Sequence, residues 1–375
     1  MKKADISIIM PCYNAGQFLT TAIESVLTQG VPIQLIAVDD GSADNTLEIL
    51  AGYSGDIQVL KSDHQGVANA RNKAIDHINS RYTLLLDADD ALAPGSLGYL
   101  LQQGSRNDRA VVYGNFSSWD KTLQKKLHVH KPASLGKSPL SLLVKRNISP
   151  PGAILFPTDA FARIGRFDQT VASCEDWDFV IRLARAGYRF IRLNREIFYY
   201  RRLLSSASNQ AYRMLVSGCE VIRRCHERDG RITGDLYADG YNKEQRDANL
   251  LYYHAVCMGI SSLSSNTDIF REIVHSVRAP VNADWVEFGK AFRLSVWWNS
   301  LAVEGDQEQL IREAQSRSIS LIKQTAGHQE WCRNMVLGIL SPDFRELLLR
   351  PGPRKALRLF REWKMARQIV DQLGK

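Results

Sequence analysis

Two rhythms of hydrophobic and polar positions alternate through the first third of the chain. Short runs rich in Ile, Leu and Val, "ISIIM" (6–10), "IQLIAV" (33–38), "IQVL" (57–60) and "YTLLLD" (82–87), read as buried strands. Between them apolar residues recur at helical spacing. Phe18, Ala22, Val26 and Leu27 predict a helix that stops at Gly30, "ADNTLEIL" a short acidic-started helix, and Val67, Ala70, Ala74, Ile75 and Ile78 a third. Strands alternating with helices imply crossover connections and a mainly parallel sheet covered on both faces. From about Ser205 the strand rhythm stops. "AYRMLVSGCEVIRRCHERDG", "NKEQRDANLLYYHAVCMGI", "DWVEFGKAFRLSVWWNSLAVEG" and "DQEQLIREAQSRSISLIKQT" carry helical spacing between Gly or Asn-Thr breaks, which predicts four to six helices in a C-terminal region. The pattern divides the chain into 1–205 and 206–375. Trp297 and Trp298 fit packing better than sugar stacking.

The polar positions cluster where predicted strands end: "PCYN", "DDGSADNT" and "DADD". Sheets of this kind open their sites at the carboxyl ends of strands, so three such loops predict one binding site at one edge. "DADD" sets Asp87, Asp89 and Asp90 within four positions, and like charges this close repel. A divalent cation relieves that repulsion, and Mg²⁺ or Mn²⁺ commonly bridges substrate phosphates from only one or two protein carboxylates. Neither GxGxxG nor GxxxxGK[ST] is present, which disfavours a nicotinamide oxidoreductase on a doubly wound sheet.

Composition changes the picture less. The net charge of +8 divides evenly on the two sides of Leu204, so no basic arm points to nucleic acid. Six scattered cysteines without CxxC spacing fit reduced thiols. The apolar run before Pro11 is too short for a signal peptide, and no apolar stretch of about 18 residues occurs. The expected location is the cytoplasm, with peripheral contact at the cytoplasmic face of the inner membrane. That contact would use the stripe Ala356, Leu359, Phe360, Trp363, Ala366 and Val370, opposed by Arg354, Arg358 and Arg361. Residues 354–370 hold six basic groups and one acid, which suits an anionic lipid surface or docking onto the protein itself or a partner.

Five stretches in order, "SIIMPCYNAGQFLTTAIESVLTQ", "AVDDGSADNT", "HQGVANARNKAI", "LLLDADD" and "EDWDFVIRLARAG", make the chain resemble the inverting family 2 glycosyltransferases of GT-A fold, over Ser7 to about Ser208. The resemblance implies an α/β GT-A fold, Rossmann-like with a mixed, mainly parallel sheet, followed by the helical region. It implies transfer of a sugar from a nucleotide-sugar donor, commonly a UDP-sugar, to a hydroxyl of a glycan or lipid-linked acceptor in surface-polysaccharide synthesis. Pro11, Tyr13 and Asn14 would line the base pocket, Asp40 would accept a hydrogen bond from the base, and Arg71 would lie near base and diphosphate. Asp89 and Asp87 would hold Mn²⁺ or Mg²⁺, with Asp87 or Asp90 near the ribose. "CEDWDF" offers Glu175, Asp176 and Asp178 as acids for deprotonating the incoming hydroxyl. The resemblance favours Asp176 as base and Glu175 as its orienter or an acceptor contact, against the plain reading of helix-capping acids. Gly152 and Phe167–Asp168 would introduce that helix. Relatives with "YRxH" place a histidine where this chain has Leu203, which transfers that charge to Arg201, Arg202 or Ser206. The rival reading is a GT-A-like protein that binds nucleotide or glycan without transfer.

Overall fold

The computed structural model describes residues 4–340 apart from 107–108, 205, 207–208, 304 and 327–329. The stripe over 354–370 lies outside the described residues. Two compact units are present, one of Met1–Leu203 with Arg224–Tyr241 and one of Leu204–Arg223 with Asn242–Lys375.

The first unit is built on one sheet. Strands β1 (Ile6–Cys12), β2 (Ile33–Asp39), β3 (Gln58–Lys61) and β4 (Tyr82–Leu85) alternate with helices α1 (Gly16–Leu27), α2 (Thr46–Gly52) and α3 (Val67–Ile75). Then follow β5 (Ala91–Leu92), α4 (Ser96–Gly104), β6 (Ala110–Trp119), β7 (Lys126–His130), α5 (Leu140–Leu143), β8 (Ile154–Pro157), α6 (Ala160–Ile164), α7 (Glu175–Arg185) and β9 (Arg189–Arg201). The sheet order is β3-β2-β1-β4-β8-β6-β9-β5, with β7 paired to β6. β1, β2, β3 and β4 pair in parallel, as do β6 and β9. The other pairs, β4 with β8, β6 with β8, β5 with β9 and β6 with β7, are antiparallel. The parallel expectation therefore holds for the crossover half. The other half is mixed, since a direct reversal such as that over 120–125 pairs strands antiparallel without a crossover helix. Because β8 opposes both neighbours, β6 and β9 run with β1, β2 and β4, and all five deliver their carboxyl ends to one edge.

Ile6, Ile8, Ile9 and Met10 are fully buried, as expected for a strand covered on both faces. The helix stripes are rotated from the sequence expectation. α1 buries Leu19, Ala22, Ile23 and Val26 and leaves Phe18 and Leu27 half-buried. Gly30 follows it at φ 70, where a side chain would be strained. α3 buries Ala68, Ala70 and Ala74 together with Arg71, which is only 2% exposed.

The second unit is helical: most of α8 (Ala211–Cys225), then α9 (Arg246–Ser261), α10 (Thr267–Ser276), α11 (Trp285–Ser300), α12 (Gln307–Ala326) and α13 (Glu330–Leu340). Asn266, expected as a break, is the N-cap of α10 and accepts the Asp268 N–H, while Asp284 caps α11. Small residues permit the tightest crossings. A methyl at Gly289 would meet the Gly338 carbonyl oxygen at 1.7 Å, and one at Gly338 would meet the Trp285 carbonyl oxygen at 2.0 Å. No helix among the described residues is long and apolar enough to cross a membrane.

Candidate active site

At the common strand edge the first two loops are laced together. Asn14, in the left-handed region at φ 48, accepts the Ala43 N–H (2.8 Å) and donates its own N–H to Ser42 Oγ (3.0 Å). Ala15 donates to Thr46 Oγ1 (2.8 Å) and Gly16 to Asp44 Oδ2 (3.0 Å). Asp40, buried, takes the N–H groups of Gln65 (3.0 Å) and Gly66 (2.8 Å), one on each oxygen, and so draws the loop ahead of α3 to the edge. Its carboxylate thus enters the site with backbone donors on both oxygens. Half-exposed Tyr13 stacks on His64 at 4.1 Å, giving a flat aromatic pair at the rim beside half-buried Pro11.

After β4 the chain turns through Asp87–Asp90, and each acid meets a different environment. Asp87 Oδ1 accepts from Arg71 Nη2 at 2.7 Å. Asp89 has its proton affinity pushed up to about 6, by burial first and by the Asp87 charge second. Asp90 is buried, and its Oδ1 accepts the Arg201 N–H (2.7 Å), while burial and its acidic neighbours raise its proton affinity well above the usual range. Arg201 stands directly behind this turn. Its Nε donates to the Asp89 carbonyl (2.5 Å), its Nη1 to the Lys121 carbonyl (2.5 Å), and its guanidinium lies over the Phe18 ring (4.5 Å). Arg71 and Arg201 are thus both cations against the acidic turn, while Leu203 is half-buried.

Arg71 joins this turn to the start of α7. Its Nη1 donates to Glu175 Oε1 at 2.6 Å, and Phe167 packs against the guanidinium at 5.7 Å. Burial works against the charge, but Asp87 and Glu175 more than offset it. Arg71 is therefore a buried, paired cation. Asp176, half-buried, is held by the Trp177 N–H at Oδ1 (2.8 Å) and by Asn147 Nδ2 at Oδ2 (2.9 Å). Burial and then the neighbouring Glu175 push its proton affinity up to about 7, against the pull of Arg71. A carboxylate of that affinity can take a proton near neutral pH.

The third acid of α7 turns away. Asp178 is buried and paired with Arg182 (2.8 Å) and Arg231 (3.0 Å), and Arg231 also reaches Asp168 (2.8 Å) and Asp229 (2.7 Å). These bonds tie α7 through Arg231 to Asp168 and Asp229. Gly152 has a packing reason, since a methyl there would meet the Phe198 ring at 2.2 Å. Asn72 clasps the backbone of Phe167, donating to its carbonyl (2.8 Å) and accepting its N–H (2.9 Å). His64, Asn147 and Arg231 were missed by sequence reasoning. His64 opens the stretch "HQGVANARNKAI", in which sequence reasoning marks only Arg71 as a site residue, and Asn147 and Arg231 are single polar residues in irregular stretches.

The acidic turn fits a divalent cation by its donor chemistry. Asp89 resists ionisation because of burial and Asp87, and a cation at those oxygens removes that penalty. No three His, Cys, Asp or Glu side chains among the described residues form a closed cage. Mg²⁺ and Mn²⁺ commonly use one or two protein carboxylates and take their remaining ligands from water and substrate phosphate.

Residues 7–165 match the family model described as Glycosyl transferase family 2. Among curated relatives, "Glycosyltransferase GlyG" of Streptococcus pneumoniae serotype 4 is 34% identical over 122 residues, which is 31% of this chain and 40% of that protein. The chain spans less than two thirds of the curated relatives it matches. Among solved structures, S. aureus TarS 1-349 in complex with UDP-GlcNAc aligns at TM-score 0.53 and 16% identity, over 86% of this chain and 92% of that one. The mannosyltransferase PcManGT from Pyrobaculum calidifontis, in complex with GDP-Man and Mn²⁺, aligns at TM-score 0.50 and 14% identity, over 88% and 89%. These two likenesses establish the fold.

Proposed function

Residues 7–165 match the family 2 glycosyltransferase model, and from that premise we propose that the chain is a member of this family and moves a sugar from a UDP-sugar to a hydroxyl of a glycan or lipid-linked glycan, with inversion and with Mn²⁺ or Mg²⁺ bound. The observation that carries the reading is Arg71, which ties Asp87 of the acidic turn to Glu175, next to Asp176. One buried cation thereby sets donor-side and acceptor-side carboxylates in a single frame. The UDP and divalent-metal preferences are supported by what TarS and PcManGT bind.

In this reading Asp176 accepts the proton of the incoming hydroxyl as that oxygen attacks the anomeric carbon, and the bond to the departing diphosphate breaks on the opposite face. Glu175 and Arg71 hold the start of α7 at the acidic turn. Asp89 and Asp87 would hold the cation, which as a Lewis acid stabilises the charge developing on the diphosphate. Tyr13 and His64 offer the base a flat face, with Pro11, Asn14 and Asp40 shaping the pocket. Asp90 and Arg201 brace the turn from behind. The transferase activity is assigned to residues 1–205, with 206–375 as an accessory helical region.

Titrating UDP with and without Mn²⁺ and then screening UDP- and GDP-sugars for turnover tests the reading. Metal-dependent UDP binding with no turnover of any donor would favour the rival reading, a binding protein without transfer, which Leu203 at the relatives' histidine position motivates. Peripheral membrane contact through 354–370 is part of the proposal. Salt-sensitive sedimentation with anionic vesicles, lost on truncation after Pro351, is its expected signature.

A further inference from the structure

The end of α5 and the stretch that leads from it to β8 pass the N-terminus of α7 and are each bonded to it. Trp177 Nε1 donates to the Leu143 carbonyl (2.6 Å), and Asn147 Nδ2 donates to Asp176 Oδ2 (2.9 Å). The Asn147 amide has a defined direction. Its Oδ1 accepts the Ile148 N–H (2.9 Å), so the NH₂ group must face Asp176. Among the described residues, with the Trp177 N–H on Oδ1, each oxygen of the Asp176 carboxylate holds one donor and keeps one lone-pair direction open. We propose that Asn147 is a positioning residue for the transfer step, fixing the plane of the Asp176 carboxylate so that an open lone pair meets the acceptor hydroxyl. The inference rests on Asp176 being the base.

Anchoring the stretch does not require Asn147. Leu140, Leu143 and Val144 are buried, the Trp177–Leu143 bond holds α5 to α7, and Gly152 is seated under Phe198. The charges facing Asp176 also leave a distinct task for a neutral donor. Glu175 on its own helix and Asp87 from the end of β4 disfavour the anion, and Arg71 from α3 favours it while already bonded to both of those acids. Asn147 adds a hydrogen bond to the anion without adding charge. A donor to a charged acceptor holds the ionised form down in energy, so its loss raises the proton affinity of the base.

The test uses the full chain with Mn²⁺ and whichever of UDP-GlcNAc, UDP-glucose or UDP-galactose is turned over, with ligand-free thermal stability against pH as a second readout. Asn147→Ala should leave UDP affinity unchanged and move the acidic limb of kcat to higher pH by about one unit, the equivalent of roughly tenfold lower turnover below the limb. Asn147→Asp, of the same size, should move it further by adding a like charge. Without ligand, Asn147→Ala should lose more stability at pH 8 than at pH 5.5, and this pH dependence should vanish in an Asp176→Asn background. An unmoved limb with a pH-independent stability change would overturn the inference and leave the base reading standing. Parental turnover in Asp176→Asn would overturn both.

Discussion

The turn Asp87–Asp90 and the helix start Glu175–Asp178 each set three acids within four positions, and the fold sorts the two sets in the same way. One acid of each is bonded to Arg71: Asp87 and Glu175. Resistance to ionisation falls on Asp89, pushed to about 6, together with Asp90 in the first set, and on Asp176, pushed to about 7, in the second. One of each has a structural partner, Asp90 the backbone N–H of Arg201 and Asp178 the guanidinium groups of Arg182 and Arg231. The difference lies in the neutral donors. Asp176 has Asn147 and the Trp177 N–H, two neutral donors that favour its ionised form, as the proposed base role requires. Asp89 sits beside the Asp87 charge, which suits a group that ionises when a cation arrives. Acid density alone marks a site, and the partner of each acid assigns its work.

Breaking the assignment of Asp176 should have the largest effect. Asp176→Asn should lower transfer by about 10²–10⁴-fold while UDP affinity is retained, as expected for loss of a general base. Comparable losses of affinity and turnover would instead make Asp176 a part of the helix start only. Next comes the shared cation. Arg71→Met strips the partner from buried Glu175, and its cost should be about 3 kcal/mol in urea unfolding, with donor binding lost as the two acid sets separate. Retention of parental stability would show that Asp87 and Glu175 do not depend on a common frame.

Asp89→Asn should keep the fold, since it removes a repelled charge, and abolish the Mn²⁺ dependence of UDP binding measured by calorimetry. Unchanged metal dependence would take Asp89 out of the cation site. The smallest effect is on pH. The folded protein keeps protons on Asp89 and Asp176 that an unfolded chain has released above about pH 4, so stability should fall as pH rises from about 4 toward 7. The fall should be shallower in Asp89→Asn, and Mn²⁺ should reduce it in the parent. A melting temperature that rises over that range would contradict the raised affinities of both acids.

Much of this was legible in the chain itself. Buried strand runs, Gly30 after α1 and the clustering of polar residues at strand ends report local chemistry, because propensity, period and turn geometry act over a few residues. The five ordered stretches carried the family, and the acidic turn carried the idea of a cation. The sequence did not show that α1 would face Leu19 and Ile23 inward, or that Arg71 would be a buried hub and not a surface residue. Those outcomes depend on what packs against each helix. Asp87 and Glu175 lie 16 and 104 residues from Arg71, and Asp168 and Asp178 lie 63 and 53 from Arg231. No local rule couples positions so far apart. Which acids of each trio have a raised proton affinity is likewise a property of the assembled surroundings, since burial and neighbouring charge exist only once the sheet edge has been formed.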